Sequence, residues 1–329
     1  MKFLVVGLGS MGKRRVRCLR NLGYREQEIT GFDTSPARRR ESEEKYGIRT
    51  AESLEGLDIG EFSAIVISTP PHIHNQYIDL CIREGVPGFV EASVILEGLE
   101  ELNRRAKAKG VFIAPSCTLK YHTAIRDIKA VVAGEEYGKV ANFSYHSGYY
   151  LPDWHPWEKV TDYYVSRKDT GGAREILPFE LTWILDVFGK PRNFCGYFGK
   201  TMDVQADIDD TYLITMDFGD YYGTMITDVV SRFMTRNLIL NLEKAQVLWN
   251  CNENVVKVYD AVGRRWIQMA QPTTTSLPGY TGVSAEEMYT EELRTFIEAS
   301  AGRGTFPNSL DEDIEVLRIL YRLEGKDAG

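Results

Sequence analysis

The chain has 329 residues, with 47 acidic against 39 basic side chains for a formal net charge of -8, and 43% of its residues are hydrophobic. That length and apolar content suit two globular domains and exclude a disordered chain. The acidic balance, with no basic stripe and no long apolar stretch, argues against a nucleic-acid binder and against a membrane-spanning protein.

In chain order, apolar runs at 3–6, 29–32 and 64–68 read as strands. Segments 13–22 and 74–84 read as helices closed by Gly23 and Gly85. A short strand at 88–90, a helix over 99–109 closed by Gly110, and a strand at 111–114 follow. Strands without alternation, separated by helices, imply a parallel sheet covered on both faces. From about residue 122 longer alternating strands are expected over 139–150, 192–200, 210–218, 223–230, 238–249, 255–259 and 266–269. Phe218-Gly219-Asp220 marks a hairpin turn, and an antiparallel sheet fits the region. Ser284-Ala285-Glu286-Glu287 and Ser309-Leu310-Asp311-Glu312 read as capping boxes ahead of two closing helices. The expected division is 1–121 and 122–329.

Cys18, Cys81, Cys117, Cys195 and Cys251 are scattered without metal-like spacing. Free thiols, no metal site and a cytoplasmic location are expected. The opening MKFLVVGLGS is too short for a signal segment and runs straight into a glycine turn.

Gly7-Leu8-Gly9-Ser10-Met11-Gly12 matches G-x-G-x-x-G, a weak string by itself in a chain with 29 glycines. Its place gives it weight, because it follows the first strand and opens a helix, and Asp33 ends the next strand. Such glycines let backbone N–H groups approach a pyrophosphate, while the carboxylate takes the ribose hydroxyls. Asp33 favours NAD, and Arg38, Arg39 and Arg40 keep NADP as a minor alternative. After the third strand, Thr69 and Pro70 shape a loop over the cofactor, and His74 reads equally as a cofactor contact or as local structure.

The ordered set GLGSMG, Asp33, ISTPPHIH, VEASV, PSCTLKYHTAIRDIKAVV and DTGGAREILPFELTWILDVFG resembles the Gfo/Idh/MocA family of NAD(P)-dependent oxidoreductases, which act mainly on sugars and polyols. The resemblance covers nearly the whole chain. It implies a Rossmann doubly wound parallel sheet followed by an α/β domain with an open, mostly antiparallel sheet, pairing into homodimers or homotetramers through that sheet. It places Glu91 near the nicotinamide ribose. The family's E-K-P is Glu91-Ala92-Ser93 here, so its lysine is Ala92. Its G-G-G-A-x-x-D-x-G-x-H falls on residues 170–180, which puts Ile176 at the aspartate and Glu180 at the histidine.

Oxidising an alcohol requires a group that takes the hydroxyl proton. Glu180, beside the apolar Phe179 and Trp183, can serve as that base or can be a buried carboxylate paired with Arg174 or Lys168. His155 and Lys168 are the second choices. Residues 146–168 are dense in aromatic and polar rings, as a sugar pocket or a subunit contact would be. Tyr149, Trp154, Arg167 and Arg174, with Lys120 and Tyr121 after the last Rossmann strand, are the expected substrate contacts. Arg232 and Arg236 are further anion-binding candidates. The expected function is NAD-dependent hydride transfer to or from a sugar. The alternatives are a non-redox NAD-binding sensor and a redox-neutral sugar enzyme using NAD transiently.

Overall fold

The apolar runs at the amino terminus become central strands because every residue in them is buried. A computed structural model describes residues 1–155, 158–272 and 286–326. Two compact units emerge, one comprising Met1–Thr118 with Glu286–Leu317, the other Leu119–Ala285 with Arg318–Gly329.

The first unit is a six-stranded parallel sheet in the order β3-β2-β1-β4-β5-β6. Its strands are β1 (Phe3–Val6), β2 (Ile29–Phe32), β3 (Arg49–Ala51), β4 (Ala64–Ile67), β5 (Gly88–Val90) and β6 (Ile113–Pro115). The helices are α1 (Ser10–Asn21), α2 (Pro36–Tyr46), α3 (His74–Glu84) and α4 (Leu99–Lys109). This is the doubly wound Rossmann arrangement, and the order reverses between β1 and β4. Helix α2 and strand β3 go beyond the sequence reading. Their signals are local: Ser35 caps α2, Pro36 starts it, and Gly47 ends it at φ 68.

The second unit opens with α5 (Thr123–Ala133) and carries an eight-stranded sheet in the order β14-β13-β12-β11-β7-β10-β9-β8. These strands are β7 (Val140–Gly148), β8 (Asn193–Gly199), β9 (Thr211–Asp217), β10 (Tyr222–Asp228), β11 (Thr235–Leu242), β12 (Ala245–Asn250), β13 (Val255–Asp260) and β14 (Arg265–Ala270). All pairs are antiparallel except β10 with β7. Helix α6 (Ala173–Phe188) covers one face, stacking Phe188 on Phe143 at 4.1 Å and setting Trp183 edge-on to Tyr145 at 5.0 Å.

The single strand expected over 238–249 is two strands. They turn at Glu243 and Lys244, whose N–H groups donate to the carbonyls of Lys139 and Tyr137. The expected boundary at 121/122 also accounts for only part of the division. Helix α7 (Glu286–Ser300) and the start of α8 (Leu310–Leu323) belong to the first unit. There Arg17 binds Glu286, and Asp311 accepts from Asn103 and Lys107. Ser309 caps α8, accepting from the Glu312 N–H and donating to the Glu312 carboxylate. The other expected capping serine, Ser284, lies outside the described residues, as do Pro156 and Trp157 of the aromatic segment. Among the described residues no helix is long and apolar enough to cross a membrane.

Candidate functional site

The glycine turn after β1 is shaped by close backbone approach. Gly7 sits at φ +89, where a Cβ would stand 2.7 Å from the Ser68 carbonyl oxygen. A Cβ on Gly12 would lie 1.7 Å from the Gly7 carbonyl oxygen. Only glycine fits at either position. At Gly9, by contrast, the direction of a Cβ meets nothing within 4 Å. Helix α1 begins there, at Ser10 and Met11. Backbone donors at a helix N-terminus facing open space fit a pyrophosphate.

Asp33 ends β2 beside this turn. Its Oδ2 accepts from the Leu8 N–H and its Oδ1 from the Ser35 N–H, both at 2.8 Å. Arg38 approaches Oδ2 at 3.7 Å. Arg39 is occupied locally, donating to the carbonyls of Asp33 and Thr34 and pairing with Glu52.

Beyond β4, His74 Nε2 lies 2.7 Å from the Thr69 carbonyl oxygen and ties down the Thr69-Pro70 loop. Burial pushes its imidazole down to about 4, so the ring is neutral at physiological pH. Beyond β5, Glu91 receives Arg15 Nε at 2.6 Å, Arg15 Nη2 at 3.0 Å and Ser68 Oγ at 3.3 Å. Ala92 offers no polar group, and Ser93 Oγ accepts from the Ile95 N–H.

In the second unit Glu180 projects from α6 into the core and is fully buried. Its Oε2 accepts from Tyr145 Oη and Trp183 Nε1, its Oε1 from Ser147 Oγ and Arg236 Nε, at 2.8 to 2.9 Å. Burial and the adjacent carboxylate push the Tyr145 hydroxyl well above its usual range. Burial opposes the charge on Arg236, but Glu180 outweighs it and raises the guanidinium. The partner of Glu180 is therefore Arg236, not Arg174 or Lys168. Arg174 is buried against Glu324, and Lys168 is 68% exposed with Asp209 at 3.9 Å.

His155 lies 3.3 Å from Glu158 and stacks on Tyr163 at 4.9 Å. Tyr149 donates to the Asp153 carbonyl, and the Trp154 indole N–H donates to the Tyr149 carbonyl. Arg167 pairs with Asp169 on the surface. Lys120 lies 3.8 Å from Asp186, and Tyr121 is buried with Arg126 over its ring. The segment thus brings His155, Tyr163 and Tyr164 together, while Glu180 and Arg174 belong to separate buried ion pairs. Among the described residues no acidic, histidine or cysteine cluster could hold a metal ion.

Sequence reasoning missed Arg15, Glu292 and Glu175 and read Arg236 as an anion-contact candidate. Pattern alone does not separate a buried charge from an exposed one, since both occur on polar-looking helix turns. Position offered one signal, because Arg15 lies on the same face as Cys18 and Leu19, which are fully buried.

A family model described as an oxidoreductase family with an NAD-binding Rossmann fold, Gfo/Idh/MocA, matches residues 1–116. No curated protein sequence matches the chain. Solved structures share the fold across its length. A levoglucosan dehydrogenase in complex with NADH and levoglucosan is 14% identical, with a TM-score of 0.83 over 99% of this chain and 96% of that one. An oxidoreductase from Agrobacterium radiobacter with NAD+, L-tartaric acid and magnesium is 12% identical, with a TM-score of 0.82 over 99% and 96%. A putative NADPH-dependent oxidoreductase from Desulfitobacterium hafniense is 13% identical, with a TM-score of 0.80 over 99% and 95%. Residues 1–116, which carry the glycine turn, Asp33 and the six-stranded parallel sheet, are thus similar to the NAD-binding Rossmann domain of the Gfo/Idh/MocA oxidoreductase family.

Proposed function

We propose that this protein is a NAD-dependent oxidoreductase that moves a hydride between the nicotinamide and a hydroxyl or keto carbon of a sugar or sugar derivative. The observation that carries this reading is the glycine cradle with Asp33 beside it, held by the Leu8 and Ser35 N–H groups. A fixed carboxylate at the ribose position repels a 2′-phosphate, which supports NAD over NADP. The levoglucosan complex of a structural neighbour supports a sugar substrate.

Bound nicotinamide supplies the hydride acceptor, and the chain must exchange the hydroxyl proton. Ala92 has no group for this. Glu180 would first have to release a donor, since Tyr145, Trp183, Ser147 and Arg236 occupy both its oxygens. The geometry therefore favours His155, which is partly exposed beside Glu158, with Lys168 second and Glu180 third. Tyr149, Trp154, Arg167, Lys120 and Tyr121 are proposed to bind the sugar, and Arg174 to anchor α6 through Glu324.

The test is NAD(H) and NADP(H) binding followed by a panel of sugars and sugar acids read at the nicotinamide absorbance. NAD is expected to bind in preference to NADP, with Asp33→Ala eroding that preference roughly tenfold, about 1.4 kcal/mol. His155→Gln is expected to cut turnover about 100-fold or more. Cofactor binding without turnover on any sugar would favour the non-redox sensor, which Ala92 and the engaged Glu180 already support. No cofactor binding at all would sink both readings.

A further inference from the structure

Glu91 is the one partly open member of an otherwise sealed ion cluster in the first unit. Arg15 is fully buried on α1, and its guanidinium lies over the Phe89 ring at 4.4 Å. On one side it grips Glu91 with Nε at 2.6 Å and Nη2 at 3.0 Å. On the other, Nη2 reaches Glu292 of α7 at 2.8 Å, while Nη1 donates to the Tyr289 carbonyl. Glu292 has no exposed surface and is further held by Ser116 Oγ, the Cys117 N–H and Thr118 Oγ1. The Glu91 side chain keeps 12% of its surface open.

The position of that open surface follows from the strand order. Asp33, the glycine turn, Ser68 and Glu91 stand at the carboxyl ends of β2, β1, β4 and β5, neighbours in that sequence in the sheet. From Asp33 to Glu91 there are three strand spacings, roughly 14 Å. A dinucleotide with its adenosine ribose on Asp33 and its pyrophosphate over the glycine turn runs on across β4 towards β5. Its nicotinamide end therefore arrives beside Glu91.

Two carboxylates share one guanidinium here; burial raises the carboxyl of Glu292, and the charge that meets the open surface is that of Glu91. His74, the nearby imidazole, is neutral and does not offset it. The nicotinamide ring is a cation when oxidised and neutral when reduced. A fixed negative charge at that end stabilises the first relative to the second.

We infer that Arg15 and Glu292 act as positioning residues that present Glu91 as a fixed carboxylate to the nicotinamide end, biasing the site towards the oxidised cofactor. The inference rests on the oxidoreductase reading above and adds the basis of its redox preference. No step of hydride transfer passes through Glu91. Its effect is on which form of the cofactor is held.

The test uses binding alone, with ADP, NAD+ and NADH titrated against the full chain and two variants. ADP lacks both the nicotinamide and its ribose and reports on the adenosine and pyrophosphate site. Glu91→Gln is expected to lower the ratio of the NADH to the NAD+ dissociation constant roughly fivefold, with ADP binding unchanged. Glu91→Asp keeps the charge and is expected to retain most of the ratio, which guards against a mere packing defect. An unchanged ratio in Glu91→Gln would overturn the inference, as would a parallel loss of all three ligands. If the unmodified protein binds none of the three, the oxidoreductase reading fails, and this inference with it.

Discussion

A carboxylate is defined by what surrounds it, as three glutamates of this chain illustrate. Glu180 is saturated by donors and Glu91 is clamped at one edge. Glu175 lies between these extremes. Its Oε1 accepts from the Tyr164 hydroxyl at 2.8 Å, and its enclosed Oε2 has no partner among the described residues. Burial raises its carboxyl from 4.5 to about 7, more than the Tyr164 hydrogen bond lowers it. Tyr163 also lies within its electrostatic reach. A group whose pKa is higher in the folded state stabilises the fold below its unfolded pKa and loses that contribution as pH rises through the folded value. The contribution of Glu175 to stability is therefore expected to fall between pH 4.5 and about 7 by at most about 3 kcal/mol. Chemical denaturation across that range should show a flatter profile for Glu175→Gln. An identical slope in both proteins would show that Glu175 titrates normally. None of this was legible from sequence, where Glu175 is one more acid in the first turn of a helix.

At the scale of elements, the glycine turn and α1 form a unit whose tolerance is set by two backbone approaches. A Cβ at residue 12 has only the Gly7 carbonyl to displace, and that carbonyl belongs to the turn itself. Gly12→Ala should therefore lose ADP-ribose binding and cost about 1 to 3 kcal/mol, read from the thermal midpoint. Retained binding would mean the turn has slack that its geometry denies. Most elements were visible in the sequence because buried parallel strands read as uninterrupted apolar runs. The β11–β12 turn was not, since Glu243 and Lys244 lack glycine, proline or asparagine. A finer signal was present: the buried residues are even-numbered at Leu238, Leu240 and Leu242, then odd-numbered at Ala245, Val247 and Trp249. That change of parity reveals a two-residue turn.

At the scale of the whole molecule, the face of the large sheet opposite α6 exposes several large apolar side chains set among polar ones. Tyr197 pairs with Leu213, Ile239 lies across from Ser144, and Tyr222 is 60% exposed beside Asn142. Apolar side chains gathered on one sheet face mark an association surface. We propose that a second copy covers it. Sedimentation is expected to give a dimer or tetramer, and Tyr222→Asp with Ile239→Asp should yield a folded monomer. A monomeric unmodified protein would end the proposal.

The sequence by itself determined the glycine turn with Asp33 beside it and the order of layers. Both depend on local signals: glycines at fixed offsets, an acid at a strand end, and hydrophobic periods that change from buried runs to alternation. Tertiary structure decided how each charge is used. Glu180 on α6 met Arg236 on β11, Arg15 met Glu292 from a helix 277 residues away along the chain, and α7 joined the first unit. Such partners are chosen by burial, because an ion removed from water must find its counterion in space, wherever that lies in the sequence.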